Sequence, residues 1–422
     1  MKHILRLALY SAWNRRSTLM LMLVAIMLST MLLLGIERIR EQIRAGFAQS
    51  VSGTDLIVGA RTSSVQLMLY SVFRVGGATN NISWESVERI SQYPQVDWVI
   101  PISLGDSHRG FPVLATNEGY FEHFRYGGGK GLQLSEGKVF SDLYDAVLGA
   151  DVAQQLGYQL GDPVVLAHGS GQLRGRSNEH ADKPFTVTGI LRRTGTPVDR
   201  TVHICLQGME AIHLGWQGGA PISRLSISAD TARRFDLTPK SVTAAFVGLK
   251  LRSQVFGVQR RIAQDPDEAL MAVLPGVALD ELWSVISFGE NSLRGVSLLV
   301  MLVSLAGLAS CILAGLGERR HELAVLRSVG AKPRDILLLL AFEGLWVMLT
   351  GVLAGFLLLT FVSIGLGPML ETYLGVKLAV GWPVGRELWM LALLVSGGFV
   401  VGLIPGIRAY RQSLADGLIL NR

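Results

Sequence analysis

The stretch Glu318–Asp335 (ERRHELAVLRSVGAKPRD) lies between two long apolar runs and decides how the chain is threaded through a membrane. We call it the basic island, because it carries five basic side chains: Arg319, Arg320, Arg327, Lys332 and Arg334. Short loops rich in Lys and Arg stay on the cytoplasmic side of a bilayer. At about 100° per residue, one helical face would collect Leu323, Leu326, Val329 and Gly330. The island therefore predicts a short cytoplasmic helix with an apolar face.

Four stretches of the chain are long and apolar enough to span a bilayer, which takes about 20 residues. They are 17–36, 295–317, 336–365 and 388–407. The first is predicted to remain as an anchor, because charged residues follow it at 37–41, where a cleaved signal peptide would have small ones. Glu343 is ionisable and lies well inside the third span. We expect a structural or coupling role for it, with proton or ion handling as the alternative.

The distribution of charge gives the orientation. Both tails, 1–16 and 408–422, are basic, so they join the island on the cytoplasmic side, and residues 37–294 must lie outside. This external segment of 258 residues holds 25 Lys/Arg and 26 Asp/Glu, a net charge of −1. The rest of the chain holds 14 and 7, a net charge of +7, and together they give the +6 of the whole chain. The basic pI therefore reflects topology and gives no support to nucleic-acid binding.

The external segment has the pattern of a mixed α/β domain. Short β-branched runs between turn residues predict strands at Thr54–Val58, Trp98–Ser103, Phe111–Ala115, Val164–Ala167, Phe185–Ile190, Val202–Cys205, Arg224–Ser228 and Ala244–Leu249. Helices are predicted at Trp84–Tyr93, at Ala150–Leu156 and from about Ala278 into the second span. The charged run through Gln49 should continue the first span as a stalk. The fold class is thus an α-helical membrane protein with four transmembrane helices in a 1 + 3 layout, and a large mixed α/β domain between helices 1 and 2.

This layout resembles that of the MacB/LolC/FtsX-type ABC transporter permeases, the type VII mechanotransmission family. The family segment E-R-R-x-E-(I/L)-x-x-L-R-(A/S)-x-G-A is matched by Glu318, Arg319, Arg320, Glu322, Leu326, Arg327, Gly330 and Ala331. The family's closing P-x-x-R-A-x-R tail is matched by Pro405, Arg408, Ala409 and Arg411. His321 is a departure, because the family often has Arg or Lys at that position.

The resemblance implies that the island is a coupling helix seated in a groove of a separate cytoplasmic ABC ATPase. The residues expected to make that contact are Glu318, Arg319, Arg320, Glu322, Leu326, Arg327 and Gly330. It also implies a bacterial inner-membrane permease that pairs with a second copy or a paralogue and transmits ATP-driven movement to a periplasmic domain. ATP and Mg²⁺ are expected in the partner, since no G-x-x-x-x-G-K-[ST] motif occurs in this chain. No cofactor and no catalytic residue is assigned here.

The expected task is export or extraction of a peptide, an antibiotic or a lipoprotein, with lipid and a periplasmic adaptor or lipoprotein as further partners. Two alternatives are an FtsX-like regulator of a periplasmic enzyme and a metal-linked transporter that uses the external histidines. FtsX-type external domains are much smaller than 258 residues, which favours transport.

The spans and the resemblance together give the expected domain boundaries. We expect a cytoplasmic tail at 1–16, the first span and stalk at 17–50, the periplasmic domain at 51–277 with an inserted lobe near 105–220, a stalk and second span at 278–317, the coupling helix at 318–335, the third span at 336–365, a periplasmic loop at 366–387, the fourth span at 388–407 and a cytoplasmic tail at 408–422.

Small residues at helical spacing predict close helix packing within the spans. They are Gly307, Gly315, Gly351, Gly355, Gly398 and Gly402. The apolar external stretch Leu56–Gly76 leaves two alternatives open. It forms either a helix buried against the sheet or an exposed surface that contacts a partner or substrate through Leu67, Met68, Tyr70 and Phe73.

Six of the eight histidines lie in the external segment. Four of them are weak candidates for a transition-metal site: His168, His180, His203 and His213. None has the i, i+4 spacing of helical ligand pairs, so we expect scattered surface histidines and assign no metal. Metal handling would require these side chains to converge in the fold.

Overall fold

The computed structural model describes residues 16–169, 179–217, 220–221, 227–318, 325, 328, 330, 332–374 and 380–411. The chain divides into two units. We call residues 45–286 the outer domain, and residues 1–44 and 287–422 the membrane unit.

The helices of the described residues are α1 (Arg16–Gln49), α2 (Ser64–Ser71), α3 (Trp84–Ser91), α4 (Gly119–His123), α5 (Ala150–Leu156), α6 (Leu206–His213), α7 (Ala229–Ala232), α8 (Val255–Ala263), α9 (Pro275–Glu318), α10 (Pro333–Leu374) and α11 (Arg386–Arg411). Short 3-10 helices lie at Pro197–Arg200 and Arg252–Gln254.

The strands are β1 (Leu56–Ala60), β2 (Ile82–Ser83), β3 (Val96–His108), β4 (Phe111–Thr116), β5 (Arg125–Tyr126), β6 (Lys130–Gly131), β7 (Leu134–Gly137), β8 (Asp145–Leu148), β9 (Pro163–Val164), β10 (Ala167–His168), β11 (Phe185–Leu191), β12 (Val202–Cys205), β13 (Trp216–Gln217), β14 (Ala220–Pro221), β15 (Ser241–Val242), β16 (Ala244–Leu249) and β17 (Leu270–Val273).

Three helices of the described residues are long and apolar enough to cross a bilayer. The stretches are Met20–Gln42 in α1, Asn291–Ser310 in α9 and Gly344–Gly367 in α10, with mean hydropathies of 2.2, 1.8 and 2.4. The predicted fourth span lies in α11, which is not among these three, so its crossing stays a prediction. Helix α1 continues to Gln49 and α9 begins ahead of the second span at Pro275, so both helices extend beyond their apolar stretches, and their role as stalks stays a prediction.

Glycines allow helices of the membrane unit to approach closely. A Cβ added at Gly351 would lie 2.6 Å from Cγ2 of Ile26, and one at Gly355 would lie 2.6 Å from the backbone oxygen of Met27. One at Gly398 would collide with the Met348 side chain. The packing prediction is therefore confirmed for Gly351, Gly355 and Gly398, which let α10 approach α1 and α11.

Gly307 does not share this role. A Cβ added there would meet no heavy atom within 4 Å among the described residues, so Gly307 makes no close helix contact within them and a contact with a second subunit stays a prediction. Gly315 lies in α9 and Gly402 in α11. Their packing, and that of the Glu343 side chain in α10, is not among the described features.

A buried ion pair joins α1 to α11 in the membrane unit. The Arg38 guanidinium donates to both carboxylate oxygens of Glu387, through Nε at 2.9 Å and a terminal nitrogen at 3.2 Å. The same side chain donates to the Gly381 carbonyl at 2.8 Å. Both partners are almost fully shielded from solvent. Removing one partner of such a pair is costly, because the other charge stays buried and unpaired.

The outer domain is built on one mixed sheet. Its strand order is β17-β1-β16-β3-β4-β12-β8-β11-β7, and β9 and β10 pair with β11 and β3. Strand β3 joins two groups: β16 pairs along residues 96–102, whereas β4 pairs along residues 103–108. In sequence, all the strands of the β4 group (β4, β7, β8, β9, β10, β11 and β12) lie between β3 and β16. The proposed lobe near 105–220 therefore shares a sheet with the rest of the outer domain, and its boundaries stay a prediction.

A register irregularity in β3 reverses which face its side chains occupy. Ser103 and Leu104 pair with Ala115 and Leu114, but Ser107 and His108 pair with Pro112 and Phe111, so the strand holds an extra residue between Leu104 and Ser107. Cross-strand partners point to the same face of a sheet. Before the bulge, even-numbered residues such as Ile100, Ile102 and Leu104 pack into one core; after it, His108 shares the face of Phe111, in the other core.

Several predicted elements agree with the structure. The predicted strands Val202–Cys205 and Ala244–Leu249 and the predicted helix Ala150–Leu156 have the observed bounds, and Ser83 caps α3 by accepting from the Ser86 amide. The predicted strand Arg224–Ser228 lies largely outside the described residues. Strand β8 and helices α6 and α8 were not predicted, because they are short and have no strong boundary signal.

His203 is fully buried in the core that also contains Tyr120 and Phe124. Its ring lies 5.5 Å from the ring of Tyr120, and Nδ1 donates to the Val147 carbonyl at 3.2 Å. Burial, assisted by the nearby Arg74 cation, lowers the pKa of His203 to about 3. Because the folded-state pKa lies below the unfolded value of 6.5, protonation favours the unfolded state.

We predict that Gly355→Val destabilises the membrane unit by about 1–3 kcal/mol, the usual cost of overpacking, because its side chain would meet the α1 backbone. Gly307→Val is the matched control and should leave the unfolding temperature unchanged. Thermal unfolding of the full chain in detergent micelles measures both. Equal loss in the two variants would contradict the packing assignment.

We also predict that His203 makes the outer domain less stable as pH falls from about 6.5 toward 3, by about 1.4 kcal/mol per pH unit. The measurement is urea unfolding of the full chain, monitored by near-UV circular dichroism at several pH values. His203→Phe should remove the His203 contribution to the slope of unfolding free energy against pH. The partly exposed His123 provides the control His123→Phe. A slope that His203→Phe leaves unchanged would show that His203 does not titrate with unfolding.

Candidate metal centre in the outer domain

Asp106 and His168 are direct cross-strand partners. Strand β10 pairs with β3 in the register Ala167↔Ser107 and His168↔Asp106. The bulge in β3 puts Asp106 on the face of Phe111, the face against which α6 packs. Without that extra residue, Asp106 would continue the alternation of Ile100 and Ile102 into the opposite core.

Two further histidines reach the same place from other elements. The backbone amide of His180 donates to the Leu166 carbonyl at 2.8 Å, and Glu179 forms a bridge with Ala167, so His180 is held beside β10. His213 is the last residue of α6, and its Nδ1 donates to the Met209 carbonyl at 2.8 Å. That bond leaves Nε2 of His213 directed at the carboxylate.

The four side chains form one compact group. One donor atom from each of Asp106, His168, His180 and His213 lies within 4.8 Å of the other three. Nδ1 of His168 lies 3.0 Å from Oδ1 of Asp106 and 3.2 Å from Nε2 of His213. Oδ2 of Asp106 lies 3.6 Å from Nε2 of His213 and 3.8 Å from Nε2 of His180. Three nitrogens and one oxygen are a donor set that suits a divalent transition metal.

Burial sets the charges in this group. It lowers the pKa of His180 to about 4, and the nearby Asp106 carboxylate offsets this only in part, so His180 is neutral at pH 7. Burial also opposes the charge on Asp106, but the hydrogen bond from His168 and the neighbouring imidazoles outweigh it and bring the pKa of Asp106 to about 2. For His213, burial opposes protonation, yet the Asp106 carboxylate prevails and the pKa is raised.

The expectation of scattered surface histidines is therefore wrong. The fold brings three of the four candidates together, and His180 is completely buried. His203 remains apart, because it pairs with Leu114 on the opposite face of the sheet. Sequence reasoning also missed Asp106, which alternation alone would have placed in the wrong core. His168 and His213 each end an element, β10 and α6, but no spacing along the sequence relates the four residues.

The suggested partner surface at Leu67, Met68, Tyr70 and Phe73 is also wrong, and the alternative of a buried helix is correct. Leu67, Met68 and Tyr70 are 0–2% exposed on α2, and Phe73 packs against the same core. An added Cβ at Gly59 would lie 2.6 Å from the Leu67 side chain, which shows how tightly α2 covers β1.

Two of the seven expected ATPase-contact residues, Glu318 and Gly330, are among the described residues. Arg319, Arg320, Glu322, Leu326 and Arg327 lie outside the described residues. Glu318 ends α9, and Gly330 has φ +105°, a backbone conformation that favours glycine. An added Cβ at Gly330 would meet nothing within 4 Å among the described residues, so the backbone, not space, calls for glycine there.

Comparison with known families matches most of the chain. The family described as MacB-like periplasmic core domain matches residues 18–245, and the family described as FtsX-like permease C-terminal matches residues 294–414. The first match covers more than half of the chain.

Individual relatives are similar over different lengths. The pyoverdine export ATP-binding/permease protein PvdT of Pseudomonas syringae pv. tomato is 22% identical over 347 residues, which are 78% of this chain and 47% of that protein. The macrolide export ATP-binding/permease protein MacB of Brucella abortus is 32% identical over 120 residues, 28% of this chain and 17% of that one. The chain thus spans about half the length of the PvdT protein it matches.

Two solved structures are similar to parts of the chain. The periplasmic region of MacB from Actinobacillus actinomycetemcomitans is 11% identical, with a TM-score of 0.35 over 58% of this chain and 97% of that one. The extracellular domain of the noncanonic ABC-type transporter YknZ from Gram-positive bacteria is 12% identical, with a TM-score of 0.31 over 52% and 99%. Because one family accounts for residues 18–245 and the other for 294–414, the chain belongs to the MacB/FtsX-type ABC transporter permeases.

Proposed function

We propose that this permease couples ATP hydrolysis by a separate cytoplasmic ATPase to conformational work of its outer domain, in a bacterial inner membrane. The observation that carries the proposal is that both chain connections between the two units lie inside uninterrupted helices. The outer domain starts at Ala45 within α1 and ends at Ile286 within α9.

The lengths of these helices exceed what a membrane span requires. Helix α1 has 34 residues and α9 has 44, which correspond to about 51 Å and about 66 Å at 1.5 Å per residue. The hydrocarbon core is only about 30 Å thick. Each helix is therefore several turns longer than a span requires. A continuous helix transmits displacement along its axis better than a loop does.

The energy source is proposed to be another polypeptide, because no phosphate-binding motif occurs in these 422 residues. The basic island is the proposed contact, with its Arg-bearing flank and apolar face on the cytoplasmic side. Four transmembrane helices, cytoplasmic termini and pairing with a second permease copy complete the proposed arrangement.

The relatives are named as export proteins for pyoverdine and for macrolides. By analogy we propose that the substrate is taken up on the outer side of the membrane, as a peptide, an antibiotic or a lipoprotein, with a periplasmic adaptor or lipoprotein as partner. Regulation of a periplasmic enzyme is the second candidate. A metal-linked transporter that uses the external histidines is the third, and the convergence of His168, His180 and His213 on Asp106 supports metal binding there.

We predict that Arg327→Glu, at the centre of the island, abolishes coupling by placing a carboxylate against the ATPase groove. The measurement is ATPase activity of the co-purified complex in nanodiscs, which should fall to that of the ATPase alone while the permease still inserts. Arg234→Glu makes the same charge change at an exposed site of the outer domain and should retain full activity. Undiminished ATPase activity in the Arg327→Glu complex would refute the assignment.

A further inference from the structure

We propose that Asp106, His168, His180 and His213 bind one divalent transition-metal ion of the zinc class in the outer domain. The inference goes beyond the permease function and does not depend on it, because all four residues belong to the outer domain.

Polar atoms without partners are the first observation. Oδ2 of Asp106 and both ring nitrogens of His180 are buried and have no hydrogen-bond partner among the described residues. Both side chains are fully shielded from solvent. Buried polar groups are nearly always paired, so these atoms require an explanation. Nε2 of His180 lies 3.8 Å from Oδ2 of Asp106, and a cation between these two atoms would satisfy both.

The spacing of the donor atoms is the second observation. Zinc binds nitrogen and oxygen ligands at about 2.0–2.1 Å in a tetrahedron, whose edges are then about 3.3–3.4 Å long. Four separations between donor atoms are 3.0, 3.2, 3.6 and 3.8 Å, the first to Oδ1 of Asp106 and the last two to Oδ2. One donor atom from each residue lies within 4.8 Å of the other three, so the side chains must draw together by up to about 1.5 Å to reach the tetrahedral edge. On binding, His168 takes the tautomer with its ring proton on Nε2, which frees Nδ1 for the ion.

The surroundings of the group resemble a supported ligand shell. The bond from Nδ1 of His213 to the Met209 carbonyl keeps the ring proton of neutral His213 on Nδ1 and leaves Nε2 available to an ion, as second-shell partners of metal-bound histidines do. The indole of Trp216 lies 4.1 Å from the His180 ring and covers it. A predominance of imidazole ligands selects zinc-class ions over Mg²⁺ and Ca²⁺, which prefer oxygen.

Access and coordination number indicate the kind of site. The side chains of His168 and His213 are 38% and 30% exposed, so an ion can enter from solvent without unfolding of the domain. Four protein ligands fill a tetrahedral ion and leave no position for a substrate, which is typical of a structural or regulatory site rather than a hydrolytic one. The ion would tie β3, β10, the segment at His180 and the end of α6 together.

The test is a zinc titration of the full chain in detergent micelles, purified with a streptavidin-binding tag instead of polyhistidine and stripped with chelator. Competition with a chromophoric chelator should show one tight site per chain, and Mg²⁺ or Ca²⁺ in excess should not displace zinc. Asp106→Asn and His168→Gln should each weaken binding by about 100-fold or more, since even second-shell changes cost 10–100-fold. His123→Gln, at a histidine outside the group, should bind as the wild type does.

Zinc X-ray absorption on the unmodified chain provides a readout that does not depend on whether a variant folds. It should show nitrogen and oxygen neighbours at about 2.0–2.1 Å, with the scattering of several imidazoles. Zinc should also raise the unfolding temperature of the wild type and of His123→Gln but not that of His168→Gln. Wild-type affinity no tighter than that of His168→Gln, or an absorption spectrum without imidazole, would overturn the proposal.

Discussion

Hydrogen bonding along β3 links the two halves of the outer sheet. Its first half pairs with β16, and its second half pairs with β4 and β10. Strand β3 thus connects β1, β16 and β17, from the two ends of the outer domain, to the strands from its middle. The four candidate metal ligands depend on the same strand, since Asp106 lies in its second half and His168 is paired opposite. An ion held there would fasten the middle segment to the strand that both halves share.

The membrane imposes a second constraint, which explains why the outer domain begins and ends within helices. Backbone groups in hydrocarbon must be satisfied within their own segment, so the chain enters and leaves a bilayer as helix. Here α1 and α9 simply continue beyond the apolar stretches. Within the membrane unit, glycines and the buried Arg38–Glu387 pair hold α1, α10 and α11 together.

The membrane helices, the stalks and several strands were predictable, because hydropathy and alternation report directly on the solvent that each residue meets. The burial of Leu67 and Tyr70 was not, since an apolar helix has the same composition whether it covers a sheet or faces a partner. The metal ligands were harder still. Asp106 and His168 are 62 positions apart, and His168 and His213 are 45 apart, so only tertiary pairing unites them. The Arg38–Glu387 pair likewise spans 349 positions and left no local pattern.

The bulge between Leu104 and Ser107 has a consequence for comparing this chain with its relatives. It is the extra residue, rather than the identity of any ligand, that turns Asp106 toward α6. A homologue could retain an aspartate and three histidines at the aligned positions, lose one residue from this strand, and have no site. Conversely, a single insertion in an ordinary strand could bring an existing carboxylate beside histidines already present. Across the family, the length of β3 should therefore report on metal binding as much as the four residue types do.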